Sequence, residues 1–314
     1  MHSPEFIKVI NQAAFELGIE VTHFPTNWAV KLFKDQMTKF IVGYTLPLNN
    51  VTSYRIARSK NLCYEILKEN GIKVVPHKLL FSPVTLLNRN NTIGNSYIIQ
   101  EFISQNGFPF LIKRNNSSKG EGVFLIKNEV DLENILSIIY TVDSTLCLSP
   151  FRNIIKEYRN IILDGKCLLS YEKQKPFVTG DGSALLIELI AEYLRKNQKF
   201  HQTPAKLFDE VLLSRLNDIP KQNEMIFLHW KHNTSFGTKY RIVNDENLKI
   251  HATNAAQAIN AAFVSVDIVQ SETFGFEVLE INASVVLNAF SAMDSKKFRL
   301  TVDIFKLALQ KLFY

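Results

Sequence analysis

The stretch YRNIILDGKCLLSYEK, residues 158–173, narrows the folds open to this chain more than any other. Apolar residues alternate on both sides of Asp164-Gly165, and Asp-Gly suits the positive-φ positions of a tight hairpin turn. The spacing predicts an antiparallel pair. A second pair follows near the chain end, VSVDIVQ and FEVLEIN, joined across SETFG. Strands that pair with their sequence neighbours, mixed with helical stretches, predict an α+β arrangement with antiparallel sheets rather than a doubly wound parallel sheet.

The helices and remaining strands read from periodicity. EFIKVINQAAFELGIE places Phe6, Val9, Ile10, Ala13 and Leu17 at helical spacing, with Gly18 as a stop. VTHF and KFIVGY read as short strands around a small helix, so the opening forms a small α/β unit. SKNLCYEILKENGI predicts a helix from near Ser59 to Gly71, and YIIQEF a strand. FPFLIKRNNSSKGEGVFLIKN reads as strand, polar glycine-containing loop, strand. DLENILSIIYTV, ALLIELIAEYLRKN, ATNAAQAINAAF and KKFRLTVDIFKLALQKLF read as helices, and TLCLSPF as a strand stopping at Pro150. Residues 196–224 are polar and carry no clear period.

Charge and cysteine usage exclude several classes. The net charge of +6 favours anionic partners, but the charges are scattered, with no basic stripe and no nucleic-acid motif. No nucleic-acid partner is expected. Cys63, Cys147 and Cys167 sit far apart without CxxC spacing, which argues against a disulfide framework and a zinc site and fits a reducing compartment. The start, MHSPEFIKVINQ, lacks the pattern of a secretory signal, and the longest apolar runs fall far short of a membrane span. A cytoplasmic location without membrane contact is expected.

Polar residues interrupt strands that should feed a core. Glu280 and Asn282, two apart, share one strand face. Antiparallel pairing would bring Asp267 opposite them. Two carboxylates and an amide oxygen are hard ligands suited to Mg²⁺; the alternative is a structural or solvated polar cluster. In KRNNSSKGEGV, residues 113–123, Ser117, Ser118, Gly120 and Gly122 would let backbone N–H groups converge on an anion, with Lys113 adding a charge. A plain glycine hairpin turn explains that loop equally well. Thr179-Gly180-Asp181-Gly182, a glycine-rich turn before a helix, suits a carboxylate or phosphate, though taken alone it reads more simply as an ordinary turn and N-cap. His229 and His232 lack an acidic third ligand at zinc-like spacing. Neither G-x-S-x-G nor G-x-G-x-x-G occurs.

Taken in order, these pieces resemble the ATP-grasp superfamily of carboxylate–amine ligases, in particular the ligase domains of cyanophycin synthetase and of the bifunctional glutathione synthetase. The resemblance runs from about Asn49 to Phe290. It is carried by LPLNNVTSYRIARSKNLCYEILKENGIKVVPH, by EYRNIILDGKCLLSYEKQKPFVTGDGSALLIELI, by NTSFG, and by SVDIV with FEVLEINAS. It implies an ATP-grasp fold in which nucleotide is held between two antiparallel-sheet subdomains. The implied divisions are a small N-terminal α/β domain over 1–57, a central subdomain over 58–147 and a C-terminal subdomain over 148–314.

The resemblance also implies roles. Lys60 and Lys113 would contact the nucleotide, and Ser117, Ser118, Gly120 and Gly122 would fold over its phosphates. Leu148, Ser149 and Phe151 would form the hinge whose backbone reads adenine, and Glu157 would hold the ribose hydroxyls. Arg159, Lys173, Lys231 and Asn233 would serve the transferred phosphoryl group or the acceptor. Asp267, Glu280 and Asn282 would bind one or two Mg²⁺ ions, with Mn²⁺ as a substitute. Three departures stand out: Ser149-Pro150 replaces an acidic hinge residue, His229 lies where relatives carry arginine, with Lys231 nearby, and NASVVLN lacks their proline-glycine.

The implied activity is ATP-dependent amide or peptide bond formation between amino acids or small peptides through an acylphosphate, releasing ADP and phosphate. Its rivals are a phosphotransferase on the same fold, a non-catalytic nucleotide-binding regulator, and a nucleic-acid binder. The short segment before Lys60 raises a homodimer as an expectation, with a second subunit supplying part of the acceptor pocket.

Overall fold

The computed structural model describes residues 3–26, 28–82, 85–86, 95–116, 122–140, 144–196, 210–229 and 238–314. In chain order the first elements are α1 (Pro4–Phe15), β1 (Glu20–His23), β2 (Ala29–Lys34), β3 (Met37–Val42), α2 (Val51–Arg58), α3 (Lys60–Glu69) and β4 (Lys78–Phe81). Then come α4 (Asn95–Asn106), β5 (Phe110–Arg114), β6 (Val123–Ile126), α5 (Glu129–Ile139), β7 (Thr145–Pro150), β8 (Ile154–Leu163) and β9 (Lys166–Gln174). They are followed by β10 (Phe177–Thr179), α6 (Leu186–Lys196), α7 (Glu210–Ser214), β11 (Met225–Phe227) and β12 (Lys239–Ile242). The chain closes with α8 (Glu246–Ala258), β13 (Phe263–Ser271), β14 (Gly275–Asn282), α9 (Asn288–Ser291) and α10 (Ser295–Phe313).

Two compact units result. The first comprises residues 1–170 and 244–314, and the second Tyr171–Val243. The first unit holds three antiparallel assemblies: β1-β2-β3, β4-β7-β5-β6, and β8-β13-β14 with the first half of β9, whose residues from Tyr171 on belong to the second unit and pair with β12. The Asp164-Gly165 turn has φ of 45° and 73°, the backbone that the Asp-Gly pair predicts.

Two sequence expectations are corrected. The segment between VTHF and KFIVGY is strand β2, not a helix. Its Val30 and Leu32 alternate inward, and Asp35-Gln36, with φ of 47° and 63°, turn the chain into β3. YIIQEF lies inside helix α4, not in a strand. Ile99 and Phe102, three apart, pack into a core with Leu80, Phe110, Ile112, Leu146 and Leu148. A short apolar run fits either state, and the sheet beneath it selects the helix.

That core fixes the sheet's other face. Phe110 and Ile112 point into it, so Leu111 and Lys113 point away. At the first unit's other end, Phe305 of α10 meets Phe6 and Phe263 edge-on, with ring centroids 5.6 and 6.0 Å away. Asn49 closes this region, its Oδ1 accepting from Ala262 N and Phe263 N and its Nδ2 donating to Phe263 O. The second unit's β10-β11 pair packs a cluster of Val178, Leu186, Ile190, Leu212 and Ile226.

Candidate active site

Strand register gathers the polar residues of β5 and β7. Lys113 lies opposite Cys147 and Leu111 opposite Ser149, so Lys113 and Ser149 share the face turned away from the core. Lys113 is 6% exposed, and its Nζ lies 3.4 Å from both His77 Nε2 and Ser149 Oγ. The Leu148 side chain belongs to the core on the opposite face, and its strand runs between β4 and β5, with Leu148 in register with Lys78 and Ile112. Phe151 follows β7 and is half-buried.

Asn115, just past β5, ties this strand to helix α3. Its carbonyl accepts from Lys60 N, its Oδ1 from Asn61 N at 3.1 Å, and its Nδ2 donates to Ser59 Oγ at 3.1 Å. The first amides of a helix have no intrahelical partner, so this side chain caps one of them. The result sets Lys60 at the helix start, where its Nζ lies 3.9 Å from Glu280 Oε2.

In the other sheet, Asp267 of β13 pairs with Glu280 of β14 on one side and Arg159 of β8 on the other. Ser265 pairs with Asn282 in the same way. Directly opposed residues share a face, so Arg159, Asp267, Glu280 and Asn282 lie together. Arg159 donates Nε and Nη2 to the two Asp267 oxygens, both at 2.7 Å, and Asp267 is 1% exposed. Asn282 Nδ2 donates to Glu280 Oε1 at 3.1 Å. Glu157, two residues before Arg159 on β8, shares that face and is buried. Ser265 Oγ, also buried, lacks a hydrogen-bond partner among the described residues.

The charges feel one another. Burial and then the neighbouring Lys60 ammonium bring Lys113 down from 10.5 to about 8, while Glu280, Cys147 and Glu157 pull the other way. Burial, followed by Lys113 and Lys60, holds His77 well below the usual histidine value. Cys63 and Cys147 are pushed up to about 12, mainly by burial, so neither is a thiolate nucleophile at neutral pH.

Lys173 belongs to the second unit, opposite Tyr240 across β9 and β12, and is buried. Asp181 Oδ1 accepts from Ser183 N and Ala184 N, so its own carboxylate fills the TGDG turn. Gly122 has φ of 66°, and a Cβ there would fall 2.5 Å from Arg114 Cδ. Ser117, Ser118, Gly120, Lys231 and Asn233 lie outside the described residues. Sequence reasoning missed His77 and Asn115. Their signal was proximity: Asn115 stands two residues from Lys113, and His77 closes the segment after helix α3.

Among the described residues no cluster of three or more His, Cys, Asp and Glu could hold a metal. Asp267, Glu280 and Asn282 contribute two carboxylates and an amide, which fits Mg²⁺, an ion often held by one or two carboxylates plus substrate phosphates. No described helix is long and apolar enough to cross a membrane.

No protein-family model matches the chain. Among curated proteins, the glutathione biosynthesis bifunctional protein GshAB of Streptococcus mutans is 27% identical over 232 residues, covering 68% of this chain and 29% of that protein. A bifunctional glutathione synthetase from Pasteurella multocida superposes with a TM-score of 0.59 at 16% identity, covering 96% of this chain and 44% of that one. A D-alanine–D-alanine ligase from Bacillus anthracis gives 0.50 at 15% identity over 84% of this chain and 71% of its own. The D-cycloserine synthetase DcsG gives 0.51 at 12% identity, with 81% and 71% covered. The chain thus spans less than half of either glutathione-related protein. Its antiparallel sheets and these superpositions show that the chain has the ATP-grasp fold.

Proposed function

We propose that the protein is an ATP-dependent carboxylate–amine ligase acting on amino acids or small peptides. The carrying observation is the meeting of Lys60 with Glu280, beside Lys113 and on the face that also holds Asp267 and Asn282. Two ammonium groups beside oxygen ligands suit a nucleotide triphosphate with its cation. The ATP-grasp fold supports the same reading.

The chemistry follows from what each group can do. A carboxylate is a poor electrophile because its charge is delocalised; phosphorylation by ATP converts it into an acylphosphate, from which an amine can displace phosphate. Lys60 and Lys113 would bind the nucleotide phosphates and offset charge in the transfer. The backbone where β7 ends, at Phe151, would face adenine, and Glu157 would accept from ribose hydroxyls. Asp267, Glu280 and Asn282 would hold Mg²⁺, which supplies charge neutralisation on the phosphoryl oxygens. Arg159, locked to Asp267, would keep that carboxylate aligned and add positive charge beside it. The roles of Lys173, Lys231, Asn233, Ser117, Ser118 and Gly120 rest on sequence resemblance, as do the subdomain limits 1–57, 58–147 and 148–314.

The test is phosphate release from ATP and Mg²⁺ across a matrix of amino acids and short peptides, with products weighed by mass spectrometry. Release that needs both a carboxylate and an amine, with a product lighter than their sum by one water, is expected. A phosphorylated hydroxyl product would replace the ligase reading with phosphotransfer. Nucleotide binding without turnover on any pair would replace it with a regulator.

A further inference from the structure

We propose that His77 is a positioning residue, a neutral imidazole whose Nε2 lone pair steers the Lys113 ammonium toward nucleotide phosphate. The proposal rests on the reading of Lys113 as a phosphate ligand.

The tautomer follows from the contacts. His77 Nδ1 lies 2.9 Å from Val75 O, and a carbonyl oxygen carries no hydrogen, so Nδ1 donates. Nε2 is then an acceptor. It faces Lys113 Nζ at 3.4 Å, a group with donors alone. The backbone around the ring is pinned from two sides. Asn61 Nδ2 of α3 donates to His77 O at 3.0 Å, and Val75 N donates to Val278 O of β14 at 2.9 Å. The imidazole is therefore a fixed wall for a flexible four-carbon chain. It stays neutral because burial, Lys113 and Lys60 all oppose a second proton.

Neutrality is what gives this arrangement its use. A carboxylate in the same place would orient the lysine but would also cancel its charge and compete with phosphate. An imidazole lone pair restrains the ammonium without neutralising it. Ser149 Oγ, 3.4 Å away on the hinge strand, gives the second restraint. The ammonium so held also faces Lys60 from α3, Glu280 from β14, Glu157 from β8 and Cys147 from β7.

The test measures MgADP affinity by calorimetry for the wild type and for His77→Asn, His77→Gln and Lys113→Met. An asparagine amide can keep the bond to Val75 O near the Nδ1 position but falls short of Lys113. A glutamine oxygen can reach the Nε2 position. His77→Asn is expected to weaken binding about tenfold, the scale of one hydrogen bond to a charged group. His77→Gln is expected to recover most of that loss. The alkaline limb of the affinity profile should move to lower pH in His77→Asn, since the ammonium loses an acceptor that favours it. Wild-type affinity in His77→Asn, or His77→Gln no better than His77→Asn, overturns the proposal while leaving Lys113 as a phosphate ligand. Undiminished affinity in Lys113→Met instead removes the reading on which the proposal stands.

Discussion

Replacing Asn115 by alanine should loosen the start of helix α3 and displace Lys60 with it. The Asn115 side chain is 6% exposed and makes three contacts: Asn61 N and Cys147 Sγ donate to its Oδ1, and its Nδ2 donates to Ser59 Oγ. Asn61, two residues past the N-cap Ser59, is itself buried, so its amide has neither water nor an intrahelical acceptor to turn to. An unsatisfied buried donor costs about 1–3 kcal/mol, and the remaining contacts add about 1 kcal/mol. A total near 2–4 kcal/mol is expected. Amide exchange read residue by residue should show lost protection across Lys60–Cys63, and MgADP affinity should fall as Lys60 moves. Asn115→Asp keeps an acceptor for Asn61 and should retain about half of the stability. An alanine variant within about 0.5 kcal/mol of wild type, the range of an ordinary surface change, would refute the reasoning.

Phe305→Ala empties a site shared by Phe6 and Phe263 and should cost about 3–5 kcal/mol, read from chemical denaturation. Gly180→Ala would place a Cβ 2.2 Å from Lys221 O and 2.8 Å from Pro220 Cβ; overpacking of about 1–3 kcal/mol should appear as faster proteolysis within Tyr171–Val243. Lys113, brought down from 10.5 to about 8, is protonated over a wider pH range in the unfolded chain than in the folded one. Folding should therefore gain stability as pH rises from about 8 to about 10.5, by at most about 3 kcal/mol, and Lys113→Met should flatten that slope. Glu280→Gln should lower Mn²⁺ affinity at least about tenfold, measured by electron paramagnetic resonance in the presence of ADP.

The parts of the fold legible in sequence were those whose signal is local. The hairpin around Asp164-Gly165 declared itself through alternation and a turn that needs positive φ. The same alternation placed Glu280 and Asn282 on one face before any partner was known. AVKLFK carries an equally local alternation, with Val30 and Leu32 inward, but Asp35-Gln36 is a weaker turn marker than Asp-Gly. YIIQEF had no local answer, since Ile99 and Phe102 become helical by docking on a sheet whose strands come from both before and after it in the chain.

Sequence by itself determined which side chains could carry charge and which strand faces they occupied, because side-chain direction follows from backbone period alone. Only the tertiary structure decided their company. Arg159 meets Asp267 across 108 residues, Lys113 meets His77 across 36, and Lys60 of helix α3 reaches Glu280 of strand β14. Such meetings depend on strand register and helix docking. Those are set by the whole buried surface, so no short stretch of residues could reveal that the lysine would be steered by a neutral ring.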